Sequence, residues 1–246
     1  VNIYLYCEGK GVVIMISNER REELDKACKD ITSENDKITL RALKVLSRTS
    51  EEEVELFSDN VKVIISLLTH TNNEIVAYTC WTIGQIGFKR PELVGPAVEK
   101  IKLLINDEDA GIREYAIWAL GRIGRSKVSY VSDFIPALLT KTKDPEPRIR
   151  MNCIWACENI ATNYPDLFKD YIPVFIELLS DSDTKYVRPE APEIFRVIGS
   201  IRPQLVECAI PVLEEKLNDD CRVTCIHSRG ALKAIKKAIS LKSNKS

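Results

Sequence analysis

YAIWALGRIG, residues 115–124, decides the fold, because the chain writes this stretch three times. YTCWTIGQIG occupies 78–87 and NCIWACENIA occupies 152–161. The only tryptophans of the chain, Trp81, Trp118 and Trp155, stand 37 residues apart, at the same place in each copy. A fixed period of about 20–50 residues marks a stacked array in which each unit buries its apolar face against its neighbours. An array presents a line of equivalent side chains. That geometry suits holding another macromolecule better than gathering catalytic groups at one point.

Working outward, each unit reads as two helices. The first is an apolar run: VKVIISLL (61–68), VEKIKLLI (98–105), FIPALLTK (134–141), YIPVFIELL (171–179) and AIPVLEEKL (209–217). Pro136, Pro173 and Pro211 fall early in these runs, where a missing N–H does least harm. The second helix carries Ile112, Ala116, Ala119, Leu120 and Ile123 at helical spacing. Gly84, Gly87, Gly121 and Gly124 cost this helix about 1 kcal/mol each in propensity, which is tolerable where helices approach closely or end. Between the two helices, His70, Asp107, Asp144, Asp181 and Asp219 recur at 37 or 38 residues. The aspartates are placed to cap the second helix or to close the turn before it. Arg113 and Arg150 follow six residues after Asp107 and Asp144, and Arg188 seven after Asp181. His70 and Val76 replace both partners together, as an Asp–Arg ladder within each unit predicts.

Asp-x5-Arg followed by A-x-x-A-L-G-x-I-G resembles the HEAT repeat, in particular the HEAT-like subtype of phycobilisome lyases. The resemblance is strongest over 97–161 and good from about residue 60. It is weaker over 18–50, where LRALKVLS carries only the second-helix pattern. It degrades over 183–239, where Pro189 and Pro192 are expected to delay or break the helix. The resemblance implies an all-α, right-handed α-solenoid of about six two-helix repeats. They are expected near 17–50, 51–95, 96–132, 133–169, 170–207 and 208–241, with a disordered tail at 242–246. Before them, the apolar runs 3–7 and 12–16 flank Glu8-Gly9-Lys10-Gly11, a pattern for a small hairpin. Met15 is the candidate for the true start, so residues 1–16 are set apart from the repeat domain.

Thirty-five basic and 36 acidic side chains give a net charge of −1, without the cationic surplus of a duplex-coating protein. Eight cysteines lack paired spacing, and several replace apolar residues of sister repeats: Cys157 matches Leu120 and Ile83, and Cys80 matches Ile117 and Ile154. They read as small buried hydrophobes in a reducing compartment, which places the protein in the cytoplasm. No stretch reaches the roughly 18 apolar residues of a membrane span.

Trp118 lies off the core set of its helix, in line with Tyr115 and Arg122. The same offset aligns Tyr78, Trp81 and Gln85, and again Asn152, Trp155 and Asn159. This row either faces a concave groove or packs between repeats. If it faces the groove, each tryptophan forms an apolar wall with a hydrogen-bonding tip one turn on. Trp-x3-Asn at 155–159 is similar to the Trp/Asn array of the armadillo family of importin-type receptors. That resemblance implies asparagines bonding a peptide backbone and tryptophans forming slots for its side chains. Gln85 still presents an amide, whereas Arg122 offers no acceptor. An extended segment is the fitting ligand, because its backbone groups recur along a line as the ladder does.

Catalytic readings fare worse. His70 and His227 are the only histidines and no His-Glu dipeptide occurs, which excludes the iron site of HEAT-type deoxyhypusine hydroxylases. Cys221-x3-Cys225-x-His227 lacks a fourth metal ligand. A HEAT-like DNA glycosylase would use the aromatics with Glu114 and Glu158, and a tetrapyrrole lyase would use the tryptophans as an apolar bed. The favoured expectation is a non-catalytic scaffold or adaptor binding a protein or extended peptide. It needs no cofactor and no metal, with nucleic acid and membrane not expected as partners.

Overall fold

The computed structural model describes residues 2–6, 13–49 and 51–243. Two strands open the chain, β1 (Asn2–Tyr6) and β2 (Val13–Ser17), paired antiparallel with Tyr4 opposite Met15. The turn expected between them, Glu8 to Gly11, lies outside the described residues. Helices follow: α1 (Asn18–Asp30), α2 (Asp36–Leu46), α3 (Glu51–Glu55), α4 (Val61–Ser66), α5 (Asn73–Lys89), α6 (Pro91–Val94) and α7 (Val98–Leu104). The series continues with α8 (Ala110–Ser126), α9 (Ile135–Leu139), α10 (Pro147–Ala161), α11 (Ile172–Leu178), α12 (Val187–Ile201), α13 (Ile210–Glu215) and α14 (Arg222–Ser243). The pairs α1–α2, α4–α5, α7–α8, α9–α10, α11–α12 and α13–α14 are the helical repeats. The chain falls into two compact units, residues 1–119 and 120–246, dividing inside α8.

From α4 onward, first helices are short and second helices long, for local reasons. α9 enters from a 3₁₀ turn with Pro136 in its first turn, where the ring presets φ and costs no hydrogen bond. It runs out into a second 3₁₀ turn, where the hydroxyls of Thr140 and Thr142 donate to the carbonyls of Ala137 and Leu139. Several second helices start from side-chain acceptors, whereas α10 starts at Pro147 without one. Asn72 Oδ1 accepts from the N–H of Glu74 and Ile75, and Asp109 Oδ1 from that of Ile112. Two residues earlier, Asp107 Oδ1 accepts from Asp109 N and closes the turn; Asp144, Asp181 and Asp219 do the same for Glu146, Asp183 and Cys221. His70 Nδ1 accepts from Asn72 N at 3.1 Å, so the imidazole does the turn-closing work of an aspartate.

In the first unit, Leu43, Leu46, Ile64, Ile75, Ile83, Ile86 and Ile101 are sealed from solvent, with Ala116 and Ile117 of α8. A Cβ at Gly84 would stand 2.8 Å from both Ala119 Cα and a ring carbon of Trp118, so α5 and α8 touch backbone to side chain there. In the second unit, Leu120, Ile123, Cys153, Cys157, Phe168, Phe175 and Phe195 fill the core. A Cβ at Gly121 would lie 2.5 Å from Ala156 Cα. These two contacts explain why the repeat writes glycine in a helix interior. The cysteines behave as the apolar residues they replace: burial pushes the Cys80 thiol up to about 12.

Of the two outcomes expected of Pro189 and Pro192, delay and breakage, α12 shows the delay. The helix starts six residues after Asp181 instead of three, which puts Pro189 in the first turn, while Pro192 sits inside a helix that runs on to Ile201. The proline pair therefore delays the helix without ending it. The tail is not irregular from residue 242, because α14 continues through Ser243; residues 244–246 lie outside the described residues. No described helix is long and apolar enough to cross a membrane.

Candidate binding surface

Tyr78 and Trp81 are one turn apart on α5, and Tyr115 and Trp118 one turn apart on α8. Their four rings form a continuous aromatic platform within the first unit. Trp81 stacks on Tyr115 with planes 3° apart and centroids 5.6 Å apart. Tyr78 lies 5.5 Å from Trp81 and 5.8 Å from Tyr115, both tilted. Trp118 meets Trp81 edge-on at 6.2 Å. Offset and edge-to-face pairs of this kind add about 0.5–1.5 kcal/mol beyond the area they bury. The ammonium of Lys44 on α2 stands 4.4 Å above the Tyr78 ring. All four rings are half-buried, neither sealed in the core nor fully open. Trp118 shows why: its ring packs against the glycine backbone of α5. The row packs between the two helices and keeps part of its surface exposed.

The remaining members of the row are placed differently. Gln85 and Arg122 are half-buried, and burial lowers the Arg122 guanidinium below its ordinary range. Trp155 is half-buried in the second unit. Asn152 and Asn159 are only 7% and 5% exposed. Their amides donate to their own helix, Asn152 Nδ2 to Arg148 O and Asn159 Nδ2 to Trp155 O, each at 2.9 Å. Each amide thus turns one N–H back to its own helix, and little of either side chain is exposed.

Two acidic residues escaped the sequence reading: Glu190 and Glu193. One extra residue separates Asp181 from Arg188, and allowing for it puts Glu190 and Glu193 where Asn152 and Trp155 stand in the preceding repeat. His227 then follows Glu190 by 37 residues. The signal was legible but masked by that shift of register. Glu158, on α10 beside them, is 9% exposed and its Oε1 has no hydrogen-bond partner. Burial, reinforced by Glu190 and Glu193, raises its carboxyl well above the ordinary range. Burial likewise raises Glu190.

The Asp–Arg ladder is also corrected. Arg150 Nη1 donates to the backbone carbonyls of Asp144 and Pro145, not to the Asp144 carboxylate. Its Nε and Nη2 instead reach forward one repeat and clamp Asp181 at 2.9 and 2.8 Å. Arg188 likewise faces Asp219 and Asp220 of the next turn. Arg113 Nη1 donates to the carbonyls of Asp107 and Glu108. Arg113 and Arg150 thus bind the carbonyls of their own preceding turn, and the fork of Arg150 is long enough to reach the neighbouring turn as well. Among the described residues, no three of His, Cys, Asp or Glu lie close enough to hold a metal ion.

Residues 97–193 match the HEAT repeat family. No curated protein matches the chain. Solved structures do. An engineered protein shares 19% identity over 90% of this chain and 98% of its own, with a TM-score of 0.66. A designed armadillo repeat protein, in complex with the peptide (KR)4, shares 20% over 87% of this chain and 99% of its own, at 0.67. A chain from the Kap95p–RanGDP structure shares 16% over 92% of this chain and 31% of its own, at 0.62. The fold is therefore that of the HEAT and armadillo α-solenoids, a class typical of interaction scaffolds and generally non-catalytic.

Proposed function

We propose that this chain, which carries HEAT repeats over residues 97–193, is a non-catalytic adaptor that binds an extended protein segment in the cytoplasm. The observation that carries the reading is the platform of Tyr78, Trp81, Tyr115 and Trp118, four mutually packed rings that keep part of their surface open. Flat, rigid aromatic rings supply contact area at little cost in rotamer entropy, and such residues dominate interface energetics. The peptide held by the designed armadillo protein of similar fold supports the class of ligand. Gln85 extends the proposed contacts within the first unit, whereas Asn152 and Asn159 of the second unit serve their own helix.

The test is selection of peptides from a random display library on the full chain, followed by affinity measurement on Trp81→Leu, which keeps an apolar residue but removes the flat ring. A loss of about 2 kcal/mol, roughly thirtyfold, is expected without loss of the helical circular dichroism signal. Peptides that bind the variant equally well would refute the platform. So would failure to select any peptide while duplex DNA is retained at low salt or a tetrapyrrole is bound.

A further inference from the structure

We infer that Cys221, at the N-terminus of α14, is a site of oxidation by hydroperoxides, its thiolate taking up one oxygen to become a sulfenic acid. The site belongs to the second unit and does not depend on the aromatic platform of the first.

The turn bonds align the repeats. Asp107, Asp144, Asp181 and Asp219 each accept from the N–H two residues on, at Asp109, Glu146, Asp183 and Cys221. Three repeats thus place a carboxylate at this position, and the last places a sulfur. Asp109 and Asp183 use theirs to accept from the N–H groups that open the second helix. Cys221 holds the same post: its carbonyl accepts from Cys225 N at 3.2 Å, and α14 runs 22 residues from Arg222. Free N–H groups and the helix dipole favour an anion there, which for cysteine is the thiolate. Thr224, three residues on, is sealed from solvent, and its hydroxyl finds no hydrogen-bond partner in the chain. A thiolate supplies the acceptor: the Thr224 hydroxyl, then the N–H groups of Thr224 and Val223, hold the Cys221 thiol below its ordinary range, against burial and Asp219. The neighbouring carboxylates are themselves neutralised. Asp219 lies 3.2 Å from Lys216 Nζ and 3.5 Å from Arg188 Nε, and Asp220 lies 2.7 Å from Arg188 Nη2. The competing thiol form donates to the Thr184 carbonyl across 3.5 Å. Cys221 is part-exposed and lines, with Thr184 and Asp220, an open pocket of about 160 Å³, room enough for a small hydroperoxide. The thiolate attacks the terminal oxygen of R–O–O–H. The S–O bond forms as the O–O bond breaks, sulfur gives up two electrons, and the departing alkoxide or hydroxide takes a proton from water. The Thr224 hydroxyl and the helix N–H groups are placed to donate to the oxygen added.

The experiment treats the reduced full chain with hydrogen peroxide in the presence of dimedone, a trap for sulfenic acids, and follows each cysteine by peptide mass spectrometry. Exposed Cys208 is the internal reference. Cys221 should be labelled at least about tenfold faster than Cys208. Its alkylation by iodoacetamide should reach half-maximal rate at a lower pH than that of N-acetylcysteine methylamide. Thr224→Val keeps the side-chain shape and removes a hydroxyl without a partner, so the variant should fold as the parent chain does. It should nonetheless slow labelling of Cys221 by at least about threefold and move the alkylation midpoint up, whereas a purely structural Thr224 would move neither. Labelling of Cys221 no faster than that of Cys208, or an alkylation midpoint at or above that of the free thiol, would overturn the site. Equal reactivity in Thr224→Val would do the same. The comparison of Cys221 with Cys208 in the parent chain decides the matter even if the variant fails to fold.

Discussion

The two compact units solve the same problem with different side chains. In the first unit the row between second helices is aromatic, and the rings of Tyr78, Trp81, Tyr115 and Trp118 satisfy one another by stacking. In the second unit the equivalent row turns acidic, and Glu158 is buried with an oxygen left over. The turns differ likewise. Asn72 and Asn73 donate neutral amides to Asp36 and Asp109 in the first unit, whereas Arg150 clamps Asp181 with a charged fork in the second. A repeat therefore dictates where a side chain stands, while its chemistry is free to change along the array. The stacked rings cost nothing to keep, but the buried carboxylate is a stability cost, of the kind retained at functional sites.

Substitutions can break or sharpen this contrast. The largest effect is expected for Gly121→Val, whose new side chain meets the Ala156 backbone; urea unfolding should show a loss of about 3 kcal/mol. Gly84→Val should lose somewhat less, because the Ala119 Cα stands 2.8 Å from the new Cβ, against 2.5 Å for Ala156 at Gly121. Next, Arg150→Ala should cost about 2 kcal/mol by stranding half-buried Asp181, against about 0.5 kcal/mol or less for Asn73→Ala at the exposed amide bond of the first unit.

Glu158→Gln should raise stability at pH 7 by about 1–2 kcal/mol, since it removes a charge that burial opposes. The sign follows from a raised folded pKa. The penalty is absent below about pH 4, where the carboxyl is protonated folded or unfolded, and it grows as the pH rises towards the folded value. Thermal melts at pH 4 and 7 should thus show the gain only at the higher pH. Asp109→Ala should cost about 1 kcal/mol. Backbone hydrogen bonding from Ile112 lowers the Asp109 carboxyl, so its contribution is present at neutral pH and fades as the pH falls below about 4. Melts of Asp109→Ala and the parent chain should converge in acid.

Much of this was readable from spacing. The tryptophan interval, the apolar runs and the proline positions located the helix pairs, because a unit that buries one stripe must repeat it at each turn of the array. The identity of the core set Ile112, Ala116, Ala119, Leu120 and Ile123 was equally legible: all are buried. Three things were not. The arginine partner lies one repeat ahead of the residue that spacing suggested, since sequence distance does not say which of two adjacent turns a long side chain reaches. Asn152 and Asn159 turn inward to their own carbonyls, a rotamer choice that periodicity leaves open. Glu190 and Glu193 were hidden by one inserted residue.

The sequence by itself determined an all-α array and the line along which its variable side chains stand, because helical period and repeat length are properties of the chain. Only the tertiary structure decided which of those side chains stack, which bond to their own helix and which are buried without a partner. Those outcomes depend on distances between helices that are remote in sequence, and on the competition between solvent and neighbours at each position.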